Sequence, residues 1–302
     1  MSSIEPSRTL VVFPGQGSLG THAGQPWTDA AAWSVVHEIS DTTHIDVSAL
    51  LVSAPAEDLV RTDNAQIATF ALSMVGWRHF REHHPSPAYF AGHSLGEISA
   101  LVAADVLTLA DGAALVAARG RAMRDAADQN PGTMIALMGP SEGAEDAVAQ
   151  CAGVYVANRN GPGQIVVSGP PAAMDDVAER YRELGWRRAT RLNVGGAFHS
   201  PLMVPAQVEL NDALEKTQFL EGSGRVASNV DAHFHDGGDH WRARLREQMT
   251  SPVDFEGVIA SVPVDVDTVI EMPPAGTLVG LIKRIRDFAL LTPLNAPESW
   301  TP

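Results

Sequence analysis

The 302-residue chain has a single cysteine, Cys151, and so cannot close an internal disulfide. Nothing cross-links the fold, and a reducing cytoplasm is the expected compartment. Basic residues are also scarce: 21 Lys and Arg against 36 Asp and Glu leave a formal charge of −15. That balance argues against a broad polyanion-binding face, and no nucleic acid is expected as partner. It leaves room for one anionic pocket built from a few arginines. No apolar run reaches the roughly 18 residues that a spanning helix needs, so no membrane segment is expected. Met1 to Arg8 is polar, without a basic stretch leading into an apolar one, so no secretory signal is expected either. What the chain does have is 45% hydrophobic residues, enough for one large core or two unequal domains.

Apolar runs and helical patterns alternate along the first part. Thr9–Phe13 is β-like and stops at Pro14-Gly15; Gln66–Arg78 is helical; Ala88–Ala91 reads as a strand; Glu97–Val106 and Ala110–Met123 read as helices. This order predicts an α/β fold with a parallel central sheet. The texture changes after the turn Asn130-Pro131-Gly132. Strand-like Thr133–Met138, helix-like Ala144–Gln150 and strand-like Val154–Val156 come first. A Gly161-Pro162-Gly163 loop, strand Gln164–Ser168, helix Ala172–Leu184 and strand Arg188–Val194 follow. That βαββαβ order is the pattern of a ferredoxin-like subdomain. The expected division is therefore 1–130 with 195–302 as a large domain and 131–194 as an inserted small one. Thr277–Leu290 is expected to be a late amphipathic helix with Leu278, Leu281, Ile282, Ile285 and Phe288 inward.

Gly92-His93-Ser94-Leu95-Gly96 stands between a strand-like and a helical stretch. A serine on such a turn has its hydroxyl pushed out of the sheet, and the backbone N–H groups that follow can face an oxyanion. The string also fits a plain tight turn; its context favours a nucleophile. A serine needs a base, and His199 in Gly196-Ala197-Phe198-His199-Ser200-Pro201 is the candidate, in a small-residue loop after a strand. The acidic residues between Ser94 and His199 fall mostly in the insert, and none ends a main-sheet strand. The imidazole is thus expected to be oriented by a backbone carbonyl.

Gly15-Gln16-Gly17-Ser18-Leu19-Gly20 satisfies G-x-G-x-x-G, but Gly24 and Pro26 break the helix that a dinucleotide fingerprint needs. A better use of this loop is to bring Gln16 beside the serine, where its amide can help to hold an oxyanion. Arg119 lies among Ala113, Ala114, Leu115, Val116 and Ala117. Burying it unpaired is costly, so it emerges into a polar cleft, meets a carboxylate, or is an exposed helix arginine. His233–His240 is a glycine-broken loop without helical pairing or a nearby cysteine, so no metal site is expected. Trp241–Arg246, with Arg187, Arg188, Arg191, Lys283, Arg284 and Arg286, is either helix surface or a local face for an anionic partner.

In order, these motifs resemble malonyl-CoA:acyl-carrier-protein transacylases and the related acyltransferase domains of polyketide synthases. The resemblance runs through Phe13–Ser18, Gly92–Glu97, Arg119-Gly120-x-x-Met123, Gly132-Thr133-Met134 and Asn158-x-Asn160-x-Pro162-Gly163-Gln164. It continues through Phe198–Met203, Ser228–Asp231, Gln248-x-x-x-Pro252-Val253 and Leu294-Asn295. It implies a hydrolase-like large domain with a ferredoxin-like insert. Ser94 would be the nucleophile and His199 the general base and then acid. Gln16 and the Leu95 N–H would form the oxyanion hole, and Arg119 would clamp the malonyl carboxylate. Gln248 would position His199 through its main-chain carbonyl, Asn160 would border the cleft, and Phe198 would leave little room for a branched acyl unit. No bound cofactor is implied. Malonyl-CoA is the implied thioester substrate, and an acyl carrier protein bearing phosphopantetheine the implied partner, in fatty acid or polyketide synthesis. The chain departs from the family pattern at Leu19, where glutamine is usual. Glu271–Leu278 likewise lacks the usual Gly-Pro-Gly run and its following basic residue. The competing readings are a polyketide-pathway acyltransferase that uses another acyl group or works between carrier proteins, and a serine esterase or thioesterase.

Overall fold

The computed structural model describes residues 4–300, which contain two sheets. β1 (Thr9–Phe13) is buried along its whole length and lies inside the six-stranded sheet. Burial on both faces is why it reads as an unbroken apolar run. It pairs in parallel with β10 (Thr268–Glu271) and β2 (Tyr89–Gly92), and β11 (Leu290–Pro293) and β7 (Arg225–Ala227) extend the sheet in the same sense. β8 (Phe234–His235) closes one edge antiparallel to β7. Alternation along β1 divides the core. Val11 and Phe13 face the long helices Thr62–His83 and Leu109–Gln129, while Leu10 and Val12 face Phe255, Val258, Leu278 and Ile282.

The five-stranded sheet has the order β6-β3-β5-β4-β9. Its strands are β3 (Thr133–Pro140), β4 (Tyr155–Gly161), β5 (Gln164–Gly169), β6 (Trp186–Arg191) and β9 (Val253–Asp254). The first four are antiparallel and, with helices Ala144–Ala149 and Pro171–Arg180, make the expected βαββαβ unit. Ile135, Leu137, Val148, Val167, Val177 and Trp186 form its own core. β9 is a surprise: it comes from beyond the insert, pairs in parallel with β4, and buries Val253 in the core beneath β1.

The expected helix at Thr277–Leu290 is shorter, ending at Ile285. Arg286 turns extended, and its guanidinium donates to the carbonyls of Val262, Pro263 and Val266. The apolar residues beyond it become parallel edge strand β11. β6 likewise starts and stops earlier than the Arg188–Val194 expected, which leaves Leu192 and Val194 in the segment leading to His199. Among the described residues no helix is long and apolar enough to cross a membrane.

Candidate active site

β2 ends at Gly92 and the helix Leu95–Ala103 begins directly after Ser94, which sits at φ 53°, ψ −105°. This backbone is strained for a non-glycine residue, by about 1–3 kcal/mol, so it persists only if its surroundings hold it. The flanking glycines make the bend possible. A Cβ on Gly92 would lie 1.9 Å from the Gly96 carbonyl carbon, and one on Gly96 would lie 2.1 Å from the Phe13 oxygen. The Ser94 main chain is held on both sides: its N–H donates to Asn229 Oδ1 at 2.7 Å, and its carbonyl accepts from Gln248 Nε2 at 3.1 Å.

His199 also has a left-handed backbone, φ 57°, and is buried in its loop. Its Nδ1 lies 2.9 Å from the Gln248 carbonyl oxygen and its Nε2 lies 2.7 Å from Ser94 Oγ. A carbonyl only accepts, so Nδ1 carries the hydrogen and Nε2 is free to accept from the Ser94 hydroxyl. Burial, and then the Arg119 charge, pushes this imidazole down to about 3. It is therefore neutral near pH 7, in the tautomer a general base requires.

Arg119 is only 2% exposed. Its Nη1 donates to Gln66 Oε1 at 2.8 Å, and its Nη2 donates to Ser94 Oγ and Gln248 Oε1, both at 3.0 Å. Burial pushes it down to about 10 against the opposing pull of Glu97. Among the described residues no carboxylate forms a salt bridge with it. A buried guanidinium bonded only to neutral groups is a strong site for an incoming carboxylate.

Ser94, His199 and Arg119 open into one cavity of about 90 Å³, also lined by Gln16, Leu95 and Phe198. Drug-sized ligands occupy roughly 300–1,000 Å³, so this space suits a short acyl unit. Larger recesses exist, one of about 420 Å³ between Leu115 and Ala213, but Ser94, His199 and Arg119 line none of them. Met123, Met134, Leu192 and Val194 give the cavity an apolar lining.

Gln248 lies behind the cavity, where it touches Ser94, Arg119 and His199 at once. Asn160 does not line the cavity; its Oδ1 accepts from His93 Nε2 at 2.8 Å. Asn158 lines it instead, its buried Oδ1 without a hydrogen-bond partner among the described residues. A regular strand would aim both asparagines alike, but β4 carries one register shift just before Asn158 and a second across Asn160. Glu97, Asn229, Gln66 and Asn158 were given no role by the motifs. Glu97, Asn158 and Asn229 do lie within the quoted motifs, and Glu97 is also a charge leading into the apolar helix with Ile98, Ala100 and Leu101.

The Gly15–Gly20 loop leads into turns and a short 3-10 helix at Gln25–Trp27, not into a helix at the glycines, so it provides no pyrophosphate cradle. His235 in the histidine-rich loop bonds Asp231 and Arg244, and a metal-like grouping lies elsewhere, at His79, Glu82 and His83. Much of the supposed basic face is engaged internally. Arg242 and Arg246 reach Glu215, Arg244 reaches Asp231, and Arg191 reaches Asp175.

A strained serine elbow, a carbonyl-held histidine and a buried arginine around a small cavity on an α/β sheet define the acyltransferase class. The family described as acyl transferase domain matches residues 11–287. The chain is 35% identical to the malonyl CoA-acyl carrier protein transacylase of Bacillus subtilis, over 97% of this chain and 95% of that one. It is 34% identical to that of Escherichia coli K12, over 95% and 96%. The crystal structure of the transacylase from Xanthomonas oryzae superposes with a TM-score of 0.90 at 37% identity, covering 98% of this chain and 97% of that one. A malonyl-transacylase solved in complex with a type II polyketide synthase acyl-carrier protein gives 0.91 at 32% identity, covering 97% of each. The chain belongs to the malonyl-CoA:acyl-carrier-protein transacylase family.

Proposed function

We propose that this chain moves a malonyl group from malonyl-CoA, through an ester on Ser94 Oγ, to the phosphopantetheine thiol of an acyl carrier protein in fatty acid or polyketide synthesis. Ser94 gives its proton to His199 Nε2 as Oγ attacks the thioester carbonyl. The oxyanion faces the Gln16 amide and the Leu95 N–H. Collapse breaks the carbon–sulfur bond, and His199 returns the proton to the departing CoA thiol. The carrier thiol then attacks the ester, its proton passing through His199 to Ser94. Gln248 holds the imidazole in the working tautomer, a task that a carboxylate performs in hydrolase triads.

Arg119 carries this reading, because it is a buried cation within 3.0 Å of the Ser94 hydroxyl and, among the described residues, has no anion bonded to it. A malonyl carboxylate fits that need through a bidentate, charge-assisted pair. Phe198, against the cavity beside His199, leaves little space for a branch on the acyl carbon.

Intact-protein mass spectrometry after mixing with malonyl-CoA tests the proposal directly. The protein should gain one malonyl mass, lose it when a phosphopantetheine-bearing carrier protein is added, and gain none as Ser94→Ala. Release of many equivalents of CoA per protein without any carrier, beyond the one that accompanies acylation of Ser94, would instead mark a thioesterase.

A further inference from the structure

Glu97 is fully buried in the first turn of the helix that follows Ser94, and the transfer chemistry described above leaves it unused. Its Oε2 accepts from the Asn229 N–H at 2.9 Å and from Gln248 Nε2 at 3.0 Å, while Oε1 has no hydrogen-bond partner among the described residues. An unpartnered carboxylate oxygen in an interior is unfavourable, and buried titratable groups of this kind cluster at functional sites.

Both partners of Oε2 hold the reacting groups. Asn229 Oδ1 accepts from the Ser94 N–H, and Asn229 Nδ2 donates to the Gly92 carbonyl that precedes the elbow. Gln248 Nε2 donates to the Ser94 carbonyl as well as to Glu97, and Gln248 Oε1 accepts from Arg119. The Gln248 main-chain carbonyl accepts from His199 Nδ1. An amide can turn over, exchanging its oxygen and nitrogen. Turned over, Gln248 would aim an NH₂ at a guanidinium that can only donate. The Glu97 acceptor holds the amide the other way.

We propose that Glu97 is a positioning residue for acyl transfer, whose carboxylate, through one oxygen, fixes Gln248 and Asn229 and thereby keeps Ser94, His199 and Arg119 in mutual register. This role presupposes the acylation of Ser94. It also ties the rate to the charge on Glu97. The charged and titratable groups facing Glu97 are Arg119 on the helix Leu109–Gln129 and Asp231 in the loop after β7, with His199 beyond Gln248. Burial, helped by Asp231, pushes Glu97 up to about 7 against its two hydrogen bonds and Arg119. The ionised form is the stronger acceptor. His199, held down to about 3, titrates far from that window.

The test is the single-turnover rate of Ser94 malonylation, followed by quenched intact-mass analysis between about pH 5.5 and 8.5. The wild-type rate should bend near pH 7, with the faster arm on the alkaline side. The isosteric Glu97→Gln variant, with its melting temperature measured alongside, should show no bend and run about tenfold or more below wild type on that arm. Wild-type speed or a persisting bend in Glu97→Gln overturns the proposal. So does a loss of rate no greater than the loss of folded protein. If the variant does not fold, the wild-type profile decides alone, since the lack of a bend near neutrality is equally fatal. Failure of wild type to take up any malonyl mass would instead overturn the transfer reaction itself.

Discussion

On one side of the cavity, Ser94 and Arg119 hang from the six-stranded sheet and its helices and His199 from the loop before Pro201, each held by hydrogen bonds to Gln248, Asn229 or Gln66. On the other side, β3 supplies Met134, β4 supplies Asn158, and the segment after β6 supplies Leu192 and Val194. That second wall is mostly apolar, and its Asn158 Oδ1 meets no donor among the described residues. The first wall is polar and hydrogen-bonded, and on the proposed function it carries the chemistry while the second sets the fit. Changes to the first should therefore alter rate and proton balance, and changes to the second should alter which acyl group is accepted.

Arg119→Ala should have the largest effect, because it removes the cation that a malonyl carboxylate would meet. Truncating one partner of a buried charge pair costs about 3 kcal/mol or more, over a hundredfold in rate. Malonyl transfer should fall by that much and acetyl transfer far less, as compared by kcat/KM for the two thioesters. Equal losses on both would erase the distinction between a carboxylate clamp and a merely structural arginine.

A smaller effect concerns stability. His199 is pushed from 6.5 down to about 3 by burial and by Arg119. Below pH 6.5 the unfolded chain therefore binds a proton that the folded chain refuses, so folding stability falls as pH drops toward 3. Between pH 7 and pH 5 the wild type should lose about 2 kcal/mol more than His199→Asn in urea denaturation. Leu192→Ala on the opposite wall should leave that difference untouched. Its own effect is the smallest: removing a few methylene groups should favour a branched acyl-CoA over malonyl-CoA by about tenfold. A large fall in the malonyl kcat of Leu192→Ala would show that the walls are not separable.

What could be read from the chain follows the same division. The elbow was legible because its demands are local: Gly92 and Gly96 flank Ser94, and each has backbone where a Cβ would go. Arg119 was legible as an anomaly on an apolar helix, though not whether it faced solvent or the interior. The four strands and two helices of the insert were legible because turns punctuate them. Glu97 and Asn229 were not, since they meet across 132 positions of sequence. The end of the helix at Ile285 was missed for a related reason. The apolar period runs on to Phe288, but the carbonyls that capture Arg286 lie on a loop 20 to 24 residues earlier. Asn160 was named as the cleft residue where Asn158 lines the cavity, because bulges in a strand leave no mark in the alternation of side chains.

The strand Val253–Asp254 bears on how such enzymes can be recombined. A cassette cut at 131 and 194 would carry four of the five strands of its sheet and leave the fifth in the recipient. The graft would then depend on a foreign ribbon to cover the β4 edge beside Asn158 and Asn160. Chimeras meant to change acyl preference should transplant Val253 and Asp254 together with the insert.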